Sequence, residues 1–347
     1  MPEPVHCQLA PALHGGPSHS PFSGLDFSVN ANVYGPNPVL LKAVRQADHT
    51  RYPDPSYLAL RERLGAWHGV EAACIVPAVG ASELLHRMVR AYLRPKDRVL
   101  SVLAPFGEFR RAAALAGTPV DVVQPGQIVD AVQRGVRLVY LGHPHNPAGA
   151  LLSPDTLAAL QGACQRADAL LIVDLAYAPF LRLPQPVLTS HTALLYSPGK
   201  AHGLVGARPA YALAAPPVAA ALHNLAPAWA LPTGTAALLH ALPDAQDFLA
   251  RTLPKVARNA AQLALDLSAL GEVGHHGAPF VTLRVGDAAG MSASLLNRGL
   301  LNRGLRVRNC ASYGLPDWLR ISARLPTENA GLVRAIRSLL IRIPDEQ

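Results

Sequence analysis

Lysine is scarce in this chain of 347 residues: Lys42, Lys96, Lys200 and Lys255 are the only four. The net charge of +8 and the pI near 9.6 therefore come from arginine. The arginines are dispersed, with no basic run and no basic helix interleaved with aromatics, so the charge reads as sites for anionic small molecules and not as a nucleic-acid surface. The four cysteines, Cys7, Cys74, Cys164 and Cys310, lie far apart and form no C-x-x-C pair, which excludes a disulfide framework or a zinc site and suggests small core residues. No apolar stretch reaches membrane-spanning length, and Met1-Pro2-Glu3-Pro4-Val5-His6 lacks a basic and apolar leader. A soluble, cytoplasmic protein without a membrane partner is expected.

What remains is a chain that is 50% hydrophobic and long enough for two domains. Its most informative stretch runs from Ser197 to Tyr211. There Lys200 sits in a small-residue loop after the apolar run Leu194-Leu195-Tyr196, with Ser197 three residues before it and Arg208 eight after. A hydroxyl and a guanidinium can share a phosphate, while Gly199, Gly203 and Gly206 let the backbone approach closely. The lysine is then available for a Schiff base with an aldehyde. Pyridoxal 5'-phosphate carries both groups, and its usual protein partners are a lysine and an acid at the ring nitrogen. Taken alone, the same stretch also reads as a surface Lys and Arg in a glycine-rich turn.

Along the chain, residues up to about Ser23 form an aperiodic arm containing His14-Gly15-Gly16. Leu25 to Pro36 reads as a short extended piece, on which Asn30 and Asn32, spaced by two, face one way and present amides to a ligand or serve turn chemistry. Gly80-Ala81-Ser82-Glu83 opens a helix whose free N–H groups suit an anion, with Ser82 as N-cap the alternative. From Arg98 to Val173 strands and helices alternate, the pattern of an α/β domain with a largely parallel sheet. Asp174 follows the buried strand Leu170-Leu171-Ile172-Val173, where an unpaired charge is costly, and a pyridinium N–H would serve as its partner. His143 and His145 lack a third ligand, so no metal is expected. A break near 242–246 begins a smaller domain with a helix over Leu253–Leu270, strands over Phe280–Val285, Leu305–Asn309 and Trp318–Ser322, and helices from Ser292 and Thr327. The tandem copies Leu296–Leu300 and Leu301–Leu305 read as a lengthened helix end, with Gly304 as its stop. Arg308 and Arg320 lie on small-domain strands as anion ligands or as solvated surface residues.

These segments, in this order, resemble the class I/II aminotransferase family of fold-type I pyridoxal phosphate enzymes. The resemblance implies an aspartate aminotransferase-type α/β fold with a mostly parallel central sheet and a smaller α+β domain, divided as an arm (1–45) packing on the small domain, a large cofactor-binding domain (46–241) and a small C-terminal domain (242–347). Ser-Pro-Gly-Lys-Ala-His-Gly-Leu-Val-Gly-Ala-Arg is similar to the family's Ser-x-x-Lys-x-x-Gly-x-x-Gly-x-Arg. That similarity implies Lys200 as the Schiff-base lysine and Ser197, Arg208 and the backbone at Gly80, Ala81 and Ser82 as phosphate ligands. It further implies Asn146 and Tyr177 at the ring oxygen, Asp174 at the pyridine nitrogen and Phe109 stacked on the ring. Tyr52 is implied to reach the phosphate of a neighbouring subunit in a homodimer, and Arg320 to take the substrate carboxylate.

Two branches of the family compete. His14-Gly15-Gly16, Asp26 to Asn32 and Val307 to Tyr313 are similar to threonine-phosphate decarboxylase of the cobalamin pathway, the favoured reading, in which His14, Asn30, Asn32, Arg308 and Arg320 hold a doubly anionic amino acid phosphate. Asn-x-Asn before Tyr34-Gly35-Pro36, and Tyr177, suit histidinol-phosphate aminotransferases equally. A catalytically silent sensor of a transcription regulator is the third reading, disfavoured because only a short arm precedes Asp26. Leu175, Val33, Ala148, His145 and Pro209-Ala210 depart from the family pattern, and none is a group that must do chemistry.

Overall fold

The computed structural model describes residues 9–12, 14–16, 21–286 and 291–341. After a short strand β1 (Leu25–Asp26), seven strands build the central sheet: β2 (Ile75–Val79), β3 (Arg98–Val102), β4 (Val120–Val123), β5 (Val136–Gly142), β6 (Leu170–Asp174), β7 (Thr192–Tyr196) and β8 (Pro209–Ala214). Their spatial order is β2-β8-β7-β6-β5-β3-β4, with β8 antiparallel to both neighbours and the other pairs parallel. Strands covered on both faces must be apolar throughout, and β6 is buried over its whole length. Its residues divide by parity: Leu171 and Val173 enter one core layer, Leu170 and Ile172 the other. On β5 the same alternation sends Val139 and Leu141 to the first layer and Leu138 and Tyr140 to the second. Each such fully buried aliphatic side chain contributes roughly 1.5–3 kcal/mol.

A second, antiparallel sheet contains β9 (Val273–Gly274), β10 (Phe280–Arg284), β12 (Arg308–Asn309) and β13 (Trp318–Ser322), in the order β12-β13-β10-β9. The helices Gln246–Ser268, Ala293–Leu301 and Pro326–Ile341 cover it, and Phe27 of the arm enters its core with Leu263, Leu283 and Ile321. β1 pairs in parallel with β11 (Leu305–Arg306). The arm therefore divides: Leu25 to Phe27 join the small sheet's body, while Leu40 of the helix Pro38–Gln46 lies in the core beside the central sheet.

Three local expectations change. The strand expected over Leu305–Asn309 is split into β11 and β12, which belong to different sheets. The helix expected from Leu253 starts at Gln246 and runs through Pro254, because Leu253, Val256, Ala260, Leu263 and Leu267 hold one buried stripe across it. The duplicated pentapeptide does not extend one helix. The helix ends at Leu301, and the second copy turns at Gly304 (φ 71°) into β11, where the Gly304 carbonyl accepts the Leu25 N–H. Cys74, Cys164 and Cys310 are buried free thiols, and Cys7 lies outside the described residues. Among the described residues no helix is long and apolar enough to cross a membrane.

Candidate active site

A cavity of about 510 Å³ opens at the carboxyl ends of β5, β6 and β7, where parallel strands and helix N-termini direct polar backbone groups outward. Asp174, the last residue of β6, stands at its floor. Its Oδ2 accepts the Tyr140 hydroxyl (2.8 Å) and its Oδ1 the Ala176 N–H (3.0 Å). Burial, and then the Asp174 charge, hold the Tyr140 phenol well above its ordinary pKa, so it remains a donor.

Lys200 lies in the loop after β7 and lines the cavity, half-buried, its Nζ 5.4 Å from the Tyr177 ring centre. Burial lowers its pKa, aided by Arg208 and Arg320 and opposed by Asp174. The neutral amine, which is the nucleophilic form, is therefore easier to reach than in a surface lysine. The loop is braced from behind by His202, whose Nδ1 accepts the Asn37 side-chain amide at 2.9 Å. Burial takes His202 from 6.5 down to about 4.

The unfolded chain therefore binds a proton that the folded protein refuses between these two values. Stability should fall as pH drops through that window and level off below it, by on the order of 3 kcal/mol for this group. Urea midpoints measured from pH 7 to 4 check this, and His202→Gln should flatten the slope. An unchanged slope would assign the titration elsewhere.

Opposite Asp174, the helix Ala81–Tyr92 starts at the cavity without a side-chain cap. Gly80, not Ser82, holds the N-cap position, and the first-turn N–H groups of Ala81 and Ser82 have no carbonyl within the helix to meet. The Arg208 guanidinium packs on Gly80. A Cβ there would fall 2.5 Å from Arg208 Nη2, and the φ of 83° also excludes larger residues. Ser197 Oγ is buried beside this corner without a hydrogen-bond partner among the described residues. On a third side Asn146 Oδ1 accepts Arg320 Nη1 (2.6 Å), and its Nδ2 donates to the Tyr313 hydroxyl (3.4 Å). Asn30 Nδ2 donates to the Tyr177 hydroxyl (3.2 Å). Asn30 Oδ1 and Arg320 Nε, both buried, are likewise unpartnered among the described residues. Buried polar atoms are rarely left unpaired, so three around one cavity point to a polar ligand.

These groups fit pyridoxal phosphate. Ser197, Arg208 and the helix start would hold the phosphate, Asp174 the pyridine nitrogen, Asn146 and Tyr177 the ring oxygen, and Lys200 would supply the amine.

Several expected residues stand elsewhere. Phe109 is fully buried, stacked on Tyr140 at 4.8 Å, because it lies one turn inside the helix Gly107–Leu115 on the side facing the sheet; Phe106, at the N-cap, lines the cavity instead. Asn32 turns away from Asn30. The chain leaves extended geometry there, and Asn32 donates to Ala201 O and Thr252 Oγ1 while its own Oδ1 accepts the Tyr34 N–H. Arg308 does not border the cavity directly; it donates to the His14 carbonyl and to Ser312 Oγ. Tyr52, expected at a neighbouring subunit's site and not in this chain's own cavity, is 79% exposed and lies against Trp229 at 4.7 Å. His145 donates from Nε2 to Ala104 O and accepts the Ala148 N–H at Nδ1, so both ring nitrogens serve the backbone. Tyr140, Tyr313 and Phe106 line the cavity without having been singled out. Tyr140 reads as one more core residue within an apolar strand, and the only signal for Phe106 was its Pro-Phe-Gly turn.

The family model for aminotransferase class I and II matches residues 23–336. Histidinol-phosphate aminotransferase 2 of Ralstonia nicotianae is 33% identical over 306 residues, 84% of this chain and 81% of that protein. The structure of histidinol-phosphate aminotransferase from Sinorhizobium meliloti in complex with pyridoxal-5'-phosphate superposes with a TM-score of 0.78 at 27% identity, covering 89% of this chain and 90% of that one. The structure of L-threonine-O-3-phosphate decarboxylase from Porphyromonas gingivalis reaches a TM-score of 0.81 at 21% identity, covering 90% and 98%, and shows the shared fold alone. Matched by the family model over most of its length and by a relative at 33% identity, the chain belongs to the aminotransferase class I and II family and is a pyridoxal phosphate-dependent enzyme.

Proposed function

We propose that this enzyme is an aminotransferase of the histidinol-phosphate type, moving an amino group from a phosphorylated amine to a 2-oxo acid. The observation that carries the reading is Arg320: it is buried, its Nη1 is committed to Asn146, its Nε is unpartnered among the described residues, and it is the small-domain arginine that borders the cavity. One such arginine suits an amine substrate whose single anionic group is a phosphate, its place being taken in the second half-reaction by a carboxylate of the 2-oxo acid. Threonine phosphate brings both at once, and Arg308, expected to take the second, stands behind His14. Similarity to histidinol-phosphate aminotransferases over most of the chain supports the same choice.

Pyridoxal phosphate, when bound, makes the bonds at the substrate carbon labile by withdrawing electrons. Asp174 holds a proton at the pyridine nitrogen, Arg320 orients the anionic substrate, and the Lys200 amine carries the proton to and from the substrate carbon. The threonine-phosphate decarboxylase reading keeps one observation in its favour, the His14-Gly15-Gly16 arm at the cavity wall. Product analysis separates the two. Histidinol phosphate with 2-oxoglutarate should yield glutamate, and threonine phosphate should release little carbon dioxide. Rapid carbon dioxide release without an acceptor would overturn the aminotransferase assignment.

Tyr52 and Trp229, exposed together, are read as the face through which a second copy completes each site. Mixing inactive Tyr52→Ala and Lys200→Ala chains should restore activity to about a quarter of wild-type sites, the share expected for random reassortment into dimers. An inactive mixture would refute a shared site.

A further inference from the structure

At the cavity mouth three titratable side chains from separate segments meet outside the cofactor residues. The Glu108 carboxylate accepts His14 Nε2 on Oε1 (2.8 Å) and His86 Nε2 on Oε2 (3.0 Å). His14 belongs to the arm and lines the cavity, its ring packed on Phe106 at 5.3 Å; His86 stands on the helix Ala81–Tyr92, and Glu108 in the first turn of Gly107–Leu115. An ionised carboxylate only accepts, so each histidine must present Nε2–H to it, and Nδ1 is the ring nitrogen that His14 has left for a ligand. Burial works against the Glu108 charge, yet the hydrogen bonds from His14 and His86 bring its pKa below the ordinary value.

The arm carrying His14 also converges on Arg320. Arg320 Nη2 donates to the Ser28 carbonyl, and Gly15 passes so close over it that a Cβ would fall 2.4 Å from that oxygen. His14 and Arg320 thus reach one corner of the cavity from two sides of Ser28. A carboxylate is satisfied by the arginine fork alone, whereas a phosphate dianion has a third oxygen to satisfy.

We propose that Glu108 is a positioning residue for substrate selection: braced by His86, it holds His14 as the doubly protonated ring, with Nε2–H on the carboxylate and Nδ1–H donating to the phosphate of the amine substrate beside Arg320, which favours phosphate over carboxylate at this corner. This rests on the phosphorylated-amine reading above. The test is a double-mutant cycle on the holoenzyme with Glu108→Gln, His14→Ala and both together, reading KM and kcat for each half-reaction. Each single change should raise KM for the phosphorylated amine on the order of 10-fold, the scale of one charge-assisted hydrogen bond. KM for the 2-oxo acid should move less than about 2-fold, and the double variant should be no worse than His14→Ala alone. His86→Gln should give a smaller shift in the same direction. Additive losses, or equal losses for the phosphate ester and the 2-oxo acid, would overturn the proposal. Should the wild-type enzyme prefer unphosphorylated amines, the function reading fails on that result alone. The cycle is then read on the Kd of inorganic phosphate for the holoenzyme, where coupling between Glu108 and His14 supports the positioning role and its absence refutes it.

Discussion

Lys200→Ala should abolish turnover, by on the order of 10⁴-fold or more, the scale reached when the residue that forms the covalent bond is removed. No other lysine borders the cavity, and Lys255 lies against Tyr34 with its Nζ 5.5 Å from the ring centre. The substitution removes a cavity-lining amine with no hydrogen bond to a side chain among the described residues, so the fold should persist. In the wild type, borohydride should trap the cofactor on the peptide containing Lys200 and bleach the yellow colour. The variant should show no trapped peptide, because borohydride then only reduces the free aldehyde to an alcohol that is removed by dialysis. A variant that still carries reduced cofactor covalently attached at full stoichiometry would assign the Schiff base to another residue.

Asp174→Ala comes next in size, with an expected loss in kcat on the order of 10³-fold, since a preorganised charge aimed at a reacting ring contributes a few kcal/mol in a water-poor site. The carboxylate is held at two points, by Tyr140 and by the Ala176 N–H, so little reorganisation is needed when a ring nitrogen meets it. Tyr140→Phe should cost roughly 10-fold, because it removes one of those hydrogen bonds and leaves the charge in place. Circular dichroism should show both variants folded. If Asp174→Ala turns over within 10-fold of wild type, the aspartate does not serve the pyridine nitrogen.

Much of this was legible from the chain because the chemistry is local. Asp174 closes an apolar strand, and Lys200, Ser197 and Arg208 share one loop, so short spacings capture their relation. The parallel part of the sheet followed from alternating periods, and β6 extends the expected run Leu170–Val173 by one residue. Relations that depend on direction were not legible. Asn30 and Asn32 face apart because the chain turns between them, which no spacing rule anticipates once the extended geometry ends. Arg308 and Arg320 sit opposite each other on paired strands, yet packing of the arm places only Arg320 at the cavity. The repeated Leu-Asn-Arg-Gly-Leu is the plainest case. The first copy is helical and the second a turn and strand, so tertiary pairing with Leu25 overrides identical local propensity. The helix through Pro254 likewise follows its buried stripe in spite of the proline.

Phe109, displaced from the cofactor to the core, acquires a different importance. Its ring supports Tyr140, and Tyr140 in turn supports Asp174. Trimming Phe109 to leucine would leave a void behind the tyrosine and let its hydroxyl drift from the carboxylate. A genetic screen for inactive but well-expressed protein would then recover an oily interior position two layers from any ligand. In this enzyme tolerance to mutation cannot be mapped by distance from the cavity alone, because one wall of the reaction chamber is propped up by the hydrophobic interior.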